Sequence, residues 1–472
     1  MKHLFRLAAL VVTLVLTGCA SRTEQTLVIL STNDMHGKIQ RFAELATAVR
    51  ECRDTTDMVL LVDAGDRWTG NAYVDLVAEH GRPIIELMNH VGYDAATVGN
   101  HEFDFGQAHL GAILDSVAAF PVLCANVQSD TATFPAPRRS IILERGGLKI
   151  GLVGVVTNYE NRGFPAGKMS SFEGLRFSDP QEAAIAEAEA LRGEVDLLVL
   201  LSHMGDDRDR ELISRCDRYD LVVSGHTHEL LDTVVCGTQL GQTYKDLRNV
   251  GVTRIRMQGK RVAEISYENI PIGNFEADPE VAAMVAEYYA DEELNRPIGS
   301  FARTASQQAL ANWFVELAKR DTKAEVGFYH IGGVRLDSIA AGSVGTAMVF
   351  DLEPFSARMA TTEMTPAQMR QMIVTKYNEP TREGHRYDLV STTPYRIITN
   401  SADEAVDVEF PTLSEGRSYR VTISDYAFKN YLAIDQSKGT IGGRRLTEMM
   451  IDALGRGPIV PDTVQHGSVV VR

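Results

Sequence analysis

The chain has 472 residues, of which 44% are hydrophobic and 23% are charged. This composition is ordinary for a globular protein, so the chain can bury a core, and the length favours two or more domains. The formal net charge of -16 argues against nucleic acid as a partner, because phosphate backbones attract basic surfaces. A small phosphorylated ligand stays open, since bound cations can reverse the local field.

The N-terminus has the pattern of an export signal. Lys2 and Arg6 precede an almost unbroken apolar run at 7–16, which is too short to span a bilayer as a helix. The run ends in Leu16-Thr17-Gly18-Cys19, which resembles the lipobox of bacterial lipoproteins and implies lipidation at Cys19. Residues 1–19 are therefore predicted to be a lipoprotein signal peptide. The expected location is the outer membrane, facing the periplasm, with surface exposure and an ordinary signal peptide as alternatives.

The first half of the chain has the pattern of strands that alternate with helices. Short continuous apolar runs occur at 27–30, 58–62, 150–156, 197–201 and 221–223. Such runs are typical of strands covered on both faces. Helical stretches lie between them, for example after Asp179-Pro180, where Asp caps the helix and Pro occupies its first turn. The pattern predicts a layered α/β domain.

The pattern changes near Pro271. Asp278-Pro279 opens an acidic helix that is predicted to run to about Leu294, and Arg296-Pro297 stops it. We therefore expect a catalytic domain at 26–272, a linker helix at 273–297 and a second domain at 298–472. The last part mixes helices, strands and turn signals, which favours a smaller α+β domain.

Four cysteines follow the signal segment: Cys52, Cys124, Cys216 and Cys236. Export allows disulfides, and the three possible pairings stay open. Cys124 lies inside an apolar run, so we expect most of the four to be buried free thiols.

The predicted strands of the first half end repeatedly in residues that bind metals. These strand ends carry, in chain order, Asn33-Asp34-Met35-His36-Gly37, Asp63-Ala64-Gly65-Asp66, Gly99-Asn100-His101-Glu102-Phe103-Asp104, Ser202-His203 and Ser224-Gly225-His226-Thr227-His228. Sites in open α/β sheets form at the carboxyl ends of strands, so these side chains should converge. Each piece is weak alone, but five in order, with Gly in most of the turns, indicate a metal centre.

These motifs resemble those of the metallophosphoesterase (calcineurin-like) superfamily, and more specifically the bacterial periplasmic 5'-nucleotidase family. The similarity covers about 27–270. It implies a layered α-β-β-α metallophosphoesterase domain, followed by the smaller α+β domain as a 5'-nucleotidase C-terminal substrate domain. It also implies two divalent metal ions, with these ligands: Asp34, His36 and His228 for one, Asn100, His203 and His226 for the other, and Asp66 as the bridge.

Mixed carboxylate, imidazole and amide ligands suit zinc, manganese, iron or cobalt, and the sequence does not select among them. The resemblance implies that His101 is the catalytic histidine and that Asp104 orients it. We expect Asp63 to be a strand-end or supporting residue and Glu102 to be structural. The charge run at 206–210 is expected to be a solvated helix start.

The second half resembles the substrate domain of the same family. Gly332-Gly333-Val334-Arg335 matches a segment whose Arg binds the substrate, and a planar guanidinium suits phosphate. The resemblance assigns base stacking to Phe355 and Tyr426. This half also departs from the family: its Asn is His330 here, the Asn that follows its Pro-Phe is Ala357, and the Gly-Gly-Asp-Gly-Tyr that follows its second aromatic is absent. A surface role for Arg335 and core roles for the aromatics remain alternatives.

The sequence therefore predicts a two-metal phosphohydrolase that acts outside the cytoplasm on nucleoside 5'-monophosphates or related phosphate esters. The partners expected are this small substrate and, through the N-terminal lipid, a membrane. A 2',3'-cyclic nucleotide phosphodiesterase or UDP-sugar hydrolase using the same metals is one alternative. A lipoprotein that binds ligands without turnover is another, and a phosphatase assay would separate it from the enzymes.

Overall fold

The computed structural model describes residues 24–130, 133–161, 163–378, 389–431, 433–464 and 466–471. The predicted signal peptide, with Cys19, lies outside the described residues. Within these ranges, no helix has both the length and the apolar composition that crossing a membrane would require. All four cysteines of the described part are free; Cys124 and Cys216 are buried, Cys52 is half-buried and Cys236 is exposed.

The first half alternates strands and helices, with each predicted strand in its expected place. Its elements are β1 (Glu24–Thr32), α1 (Phe42–Thr55), β2 (Val59–Asp63), α2 (Ala72–Asp75), α3 (Arg82–Val91), β3 (Ala95–Thr97), α4 (Gln107–Ser116), β4 (Val122–Leu123), β5 (Val127–Ser129), β6 (Ser140–Arg145), β7 (Leu148–Val156), β8 (Leu175–Phe177), α5 (Pro180–Leu191), β9 (Leu197–His203), α6 (Asp206–Arg215), β10 (Leu221–Ser224), β11 (Leu230–Val235), β12 (Thr238–Thr243), β13 (Asn249–Gln258) and β14 (Arg261–Pro271). The Asp179 side chain caps α5, as its position before Pro180 predicted.

Twelve of these strands form two six-stranded sheets, ordered β14-β13-β1-β2-β3-β4 and β11-β12-β10-β9-β7-β6, and β5 pairs with β8 in a small separate sheet. The β1 strand shows how the layers are built, since neighbouring side chains point to opposite faces. Leu27 and Ile29 pack in the core between the sheets. Val28 and Leu30 pack in a second core that contains side chains of α1 and α3. A third core joins the other sheet to α5 and α6. The result is the α-β-β-α arrangement that the resemblance implied.

The parallel strands bring the site loops together. β1, β2 and β3 run parallel in the first sheet, and β7, β9 and β10 run parallel in the second. Their carboxyl ends therefore lie at the same edge of each sheet, where sites form in this class of fold.

The prediction of one continuous linker helix is wrong. The structure has two helices, α7 (Pro279–Tyr288) and α8 (Glu292–Asn295). The break has a local cause, because the Asp291 side chain accepts the backbone N–H groups of Glu293 and Leu294 and so starts a new helix. Arg296-Pro297 ends α8, as predicted.

The second half is a mixture of helices and strands. Its elements are β15 (Pro297–Phe301), β16 (Ala305–Ser306), α9 (Gln307–Thr322), β17 (Val326–His330), β18 (Ser338–Ile339), β19 (Gly342–Gly345), α10 (Thr346–Leu352), β20 (Arg358–Met364), α11 (Pro366–Asn378), β21 (Leu389–Ser391), β22 (Tyr395–Thr399), β23 (Ala405–Glu409), β24 (Tyr419–Ser424), α12 (Asp425–Asn430), β25 (Gly439–Arg445), α13 (Leu446–Leu454) and β26 (Gly467–Val471). Its largest sheet has the order β21-β17-β24-β20-β25, which is a mixed sheet in keeping with the expected α+β class.

The two halves meet at α2 and α10. Ala72 and Tyr73 of the first half form a small apolar cluster with Ala347 and, at its margin, Phe350. Asp351 accepts a hydrogen bond of 2.6 Å from the backbone N–H of Ala72. This contact holds the loops that follow α10 close to the carboxyl ends of the first-half strands.

Candidate metal centre

The predicted metal ligands converge at the edge where the parallel strands end. Three groups of side chains have ligand atoms within 4.8 Å of one another: Asp34, His36 and His228; Asp66, His203 and His226; and His36, Asp66 and His101. The first two groups correspond to the two predicted ligand sets. Asp66 belongs to two of the three, which suits its predicted place between the ions.

Asp66 lies at the middle of the cluster. Its Oδ2 is 3.1 Å from Nε2 of His203, and its Oδ1 accepts the backbone N–H of His101 at 2.9 Å. Burial raises the pKa of the Asp66 carboxyl, but the charges of His203 and His101 outweigh burial and hold it well below its usual value. The ionised form is the one that can bind a cation.

The donor atoms of the first ligand set fit a divalent ion. Nε2 of His36 and Nε2 of His228 face each other at 3.0 Å, and Oδ1 of Asp34 is 3.5 Å from Nε2 of His228. Burial, followed by the charge of Arg335, holds the pKa of His36 well below its usual value. The imidazole is therefore neutral, which is the form that binds metals.

The second ligand set fits as well. Nδ1 of His203 donates to the backbone carbonyl of Ala64 at 2.6 Å, so Nε2 is turned into the site. That Nε2 is buried and has no hydrogen bond of acceptable geometry among the described residues, although it lies close to Asp66. Nδ1 of His226 is 3.0 Å from Oδ1 of Asn100. Two imidazoles, an amide oxygen and a carboxylate form a suitable donor set for the metals named above.

The ligand loops adopt backbone conformations that are rare for residues other than glycine. Five of the seven predicted ligands have positive φ: Asp34 (49°), His36 (46°), Asp66 (57°), His226 (82°) and His228 (55°). Such conformations cost about 1–3 kcal/mol each and persist only where the surrounding structure imposes them. Their concentration here is typical of a functional site.

One glycine of the motifs is required for steric reasons. A Cβ atom on Gly99 would lie 2.1 Å from Oδ1 of Asp66, far inside van der Waals contact. Any side chain at this position would displace the central carboxylate, so Gly99 keeps open the space that Asp66 occupies.

A buried network of charged side chains contacts the backbone at Asp66 and holds it in place. Arg67 is completely buried and contacts Asp63 at 3.0 Å and Glu102 at 3.6 Å. Glu102 accepts the backbone N–H groups of Asp66 at 2.9 Å and Arg67 at 2.8 Å, and also that of Gly99. Asp63 and Glu102 thus have the supporting positions expected for them. The sequence analysis missed Arg67, whose burial no local pattern indicates.

His101 has the surroundings predicted for a catalytic histidine. Its Nδ1 is 2.7 Å from Oδ2 of Asp104, and that carboxylate also accepts the hydroxyl of Thr69 at 2.8 Å. Burial lowers the pKa of His101, but Asp104 and Asp66 outweigh burial and raise it. Asp104 fixes the ring orientation, and Nε2 of His101 is directed toward Asp66, 3.9 Å from Oδ2.

Two of the three predicted substrate residues lie beside the metal cluster, although the second domain carries them. Nη2 of Arg335 is 3.0 Å from Nε2 of His36. The Phe355 ring is 5.8 Å from the His101 ring and lies 5.8 Å from the Arg335 guanidinium carbon. Tyr426 is 39% exposed, and its ring packs against His330 at 5.1 Å. His330, where the family has Asn, therefore belongs to the aromatic surface of the second domain.

The expectation of a solvated charge run at 206–210 is wrong for one residue. Asp209 of α6 is completely buried and accepts the hydroxyls of Ser202 and Ser224, each at 2.5 Å. These two serines precede ligand histidines at the ends of β9 and β10. Asp209 therefore fixes the two strand ends relative to each other, which the charge pattern of the helix could not reveal.

Family models match both halves of the chain. The calcineurin-like phosphoesterase model matches residues 27–230. The model of the 5'-nucleotidase C-terminal domain matches residues 288–433.

Two proteins of other organisms are similar to this chain in sequence. The trifunctional nucleotide phosphoesterase protein YfkN of Bacillus subtilis is 24% identical over 79% of this chain and 29% of its own length. A snake venom 5'-nucleotidase of Gloydius brevicauda is 32% identical over 44% of this chain and 38% of its own length. The chain thus spans less than half of the length of these relatives.

Solved structures share the fold. The 5'-nucleotidase precursor from Thermus thermophilus superposes with a TM-score of 0.81 at 19% identity, covering 94% of this chain and 99% of that one. At this identity the likeness shows the fold. The two family models, one for each half, show that the chain belongs with the phosphoesterases that join a calcineurin-like phosphoesterase domain to a 5'-nucleotidase C-terminal domain.

Proposed function

We propose that the protein is a two-metal phosphohydrolase that removes phosphate from nucleoside 5'-monophosphates or related phosphate esters. One observation carries the proposal: Arg335 of the second domain lies 3.0 Å from His36 of the metal cluster. The Arg335 guanidinium and the candidate metal centre thus lie side by side between the domains. A phosphate ester placed there would meet both.

We assign the metal-centre residues the roles that the sequence analysis predicted, and their positions support this assignment. Asp34, His36 and His228 would hold one ion, Asn100, His203 and His226 the other, and Asp66 both. Such a pair of ions supplies a clamp for the attacking and leaving oxygens of an in-line displacement. In this arrangement, His101 donates a hydrogen bond to the phosphoryl group or to the leaving oxygen, and Asp104 holds its ring in the orientation needed for that donation.

The second domain supplies the contacts that select the substrate. The planar guanidinium of Arg335 suits a phosphate, because it can donate two parallel hydrogen bonds. The half-buried ring of Phe355 lies close to both Arg335 and His101, where it could stack on a group attached to the phosphate. Tyr426, together with His330, offers a second aromatic surface. These rings support a substrate that carries a planar base.

A panel of substrates tests the proposal. Metal-loaded protein would be given nucleoside 5'-monophosphates, a 2',3'-cyclic nucleotide, a UDP-sugar and a simple aryl phosphate, and release of product would be followed for each. Preference for a monophosphate supports the proposal, whereas preference for the cyclic nucleotide or UDP-sugar would select the alternative esterase. If the protein binds one of these compounds but hydrolyses none of them, the result would favour a ligand-binding lipoprotein and contradict the proposed enzyme.

We also propose that the protein is exported and anchored through a lipid on Cys19, on the strength of the sequence at 16–19. Cys19→Ser should release the protein from the membrane fraction of expressing cells, while the unchanged protein stays with the membranes. Equal distribution of the two forms would contradict lipid anchoring.

A further inference from the structure

One strand of the parallel set ends at the metal centre although the sequence analysis gave it no site residue. This strand is β7, which pairs in parallel with β9. The first residue after it, Thr157, is completely buried, and its backbone N–H donates to the carbonyl of the predicted ligand His203 at 2.8 Å. The loop after β7 is therefore attached to the second ligand set.

Glu160 of this loop reaches the second ligand set with its side chain. Oε1 of Glu160 is 3.4 Å from Nε2 of His226, and the two side chains are 22% and 9% exposed. The hydroxyl of Thr157 lies 2.8 and 2.7 Å from the two carboxylate oxygens of Glu160. Thr157 thus holds the carboxylate in place beside the histidine.

The contact involves the outer nitrogen of the His226 ring. Nδ1 of His226 faces the ligand set, 3.0 Å from Oδ1 of Asn100, so Nε2 points away from it toward Glu160. Two other ligand histidines have a backbone carbonyl as the acceptor at the outer nitrogen. His36 uses the backbone carbonyl of Thr69 at 3.2 Å, and His203 uses that of Ala64 at 2.6 Å. His226 differs because its outer partner is a charged side chain.

We propose that Glu160 is a positioning residue for the second metal ion. A carboxylate only accepts hydrogen bonds, so Glu160 keeps the proton of a neutral His226 on Nε2 and leaves the lone pair on Nδ1, the nitrogen that faces Asn100. Its negative charge also raises the affinity of the ring for a cation. The proposal rests on the metal binding assumed in the proposed function, and it extends the site to a residue outside the recognised motifs.

Metal titration of the metal-free protein tests this role. Zn²⁺ and Mn²⁺ would each be titrated calorimetrically into the wild type and into Glu160→Ala. With either metal, we expect two binding sites. In Glu160→Ala the affinity of one site should fall about 10- to 100-fold, the usual effect of losing such a partner, and the affinity of the other site should stay unchanged. Glu160→Gln keeps an oxygen that can accept the Nε2 proton, so it should recover part of the loss. Excess metal should restore the turnover of Glu160→Ala.

Glu173→Ala is the matched control, because this exposed glutamate lies on the same connection and outside the ligand cluster. It should bind both ions as the wild type does. Wild-type affinity for both ions in Glu160→Ala would overturn the positioning role, and so would an equal loss at both sites. If the wild type itself fails to bind two ions of either metal, the proposed function is contradicted. If the wild type binds two ions and Glu160→Ala binds them equally well, only the role of Glu160 is contradicted.

Discussion

The two halves of the candidate site differ in how firmly the fold fixes their side chains. The metal half of the site consists of the predicted metal ligands. In it, Asp34 and His203 are completely buried, and the ligands follow strands that pair in parallel. The substrate half consists of the three predicted substrate residues. Of these, Arg335 and Phe355 are partly exposed, and Tyr426 is 39% exposed. Substitution of a buried ligand also disturbs the backbone and charged groups that it contacts on several sides. Substitution of an aromatic ring on a loop disturbs fewer neighbours. The metal chemistry should therefore be less tolerant of substitution than the choice of substrate.

The most damaging change should be at Asp66. Asp66→Asn keeps the shape of the side chain but removes the charge shared by both ligand sets, so hydrolysis of even a simple aryl phosphate should be abolished. Exhaustive chelation should have the same effect. Initial rates on metal-loaded protein would measure it, with the exposed Asp54→Asn as a control that should keep full activity. Full activity of the wild type after chelation would contradict a two-metal enzyme.

His101→Asn should separate catalysis from metal binding. We expect the metal content to stay near normal and the turnover number to fall about 10²- to 10⁴-fold, as for loss of a general acid. Metal analysis and steady-state kinetics on the same preparation would check both expectations. His90→Asn changes a half-exposed histidine of α3 and should leave both unchanged. Loss of both metals in His101→Asn would show that His101 is a ligand.

Arg67→Met should test the buried support of the metal half through stability. The substitution leaves Asp63 and Glu102 buried without their cation, and breaking such a pair costs about 3–5 kcal/mol. Denaturant unfolding of the metal-free protein would measure the loss. Arg82→Met removes exposed pairs with Glu79 and Glu86, which water screens, so it should lower the free energy of unfolding far less than Arg67→Met. Equal losses in the two variants would mean that the buried network contributes no special stability.

The smallest effect should come from the substrate half, and it should be selective. Phe355→Ala removes one stacking surface, worth about 1–3 kcal/mol, so KM for a nucleoside monophosphate should rise roughly ten- to a hundredfold. KM for an aryl phosphate should change much less. Tyr426→Ala, measured beside it, tells whether the exposed second ring takes part. Equal losses on both substrates would contradict base stacking and would remove nucleotides from the proposed function.

The strands and the metal cluster were predictable because both depend on local patterns. A continuous apolar run followed by Gly and a ligand residue indicates a buried strand and its carboxyl end. The two exceptions have different causes, one a contact between distant segments and the other a local signal. Asp209 appeared solvated because its helix is highly charged, yet its carboxylate binds serines of two strands. The break in the linker helix was a local signal that the sequence analysis overlooked, since Asp291 is followed by the acidic start typical of a new helix.

The sequence by itself determined the family, the layered architecture and the identity of the candidate metal ligands, because each of these is encoded by residues close together in the chain. Only the tertiary structure decided which side chains support those ligands. Arg67 became a buried cation because Asp63 and Glu102 enclose it, and Glu160 became a partner of His226 because β7 and β10 flank β9. The position of Arg335 beside His36, 299 residues away, likewise depends on how the two domains pack. Burial and long-range contacts determine the partners of a side chain, and no short segment of sequence carries that information.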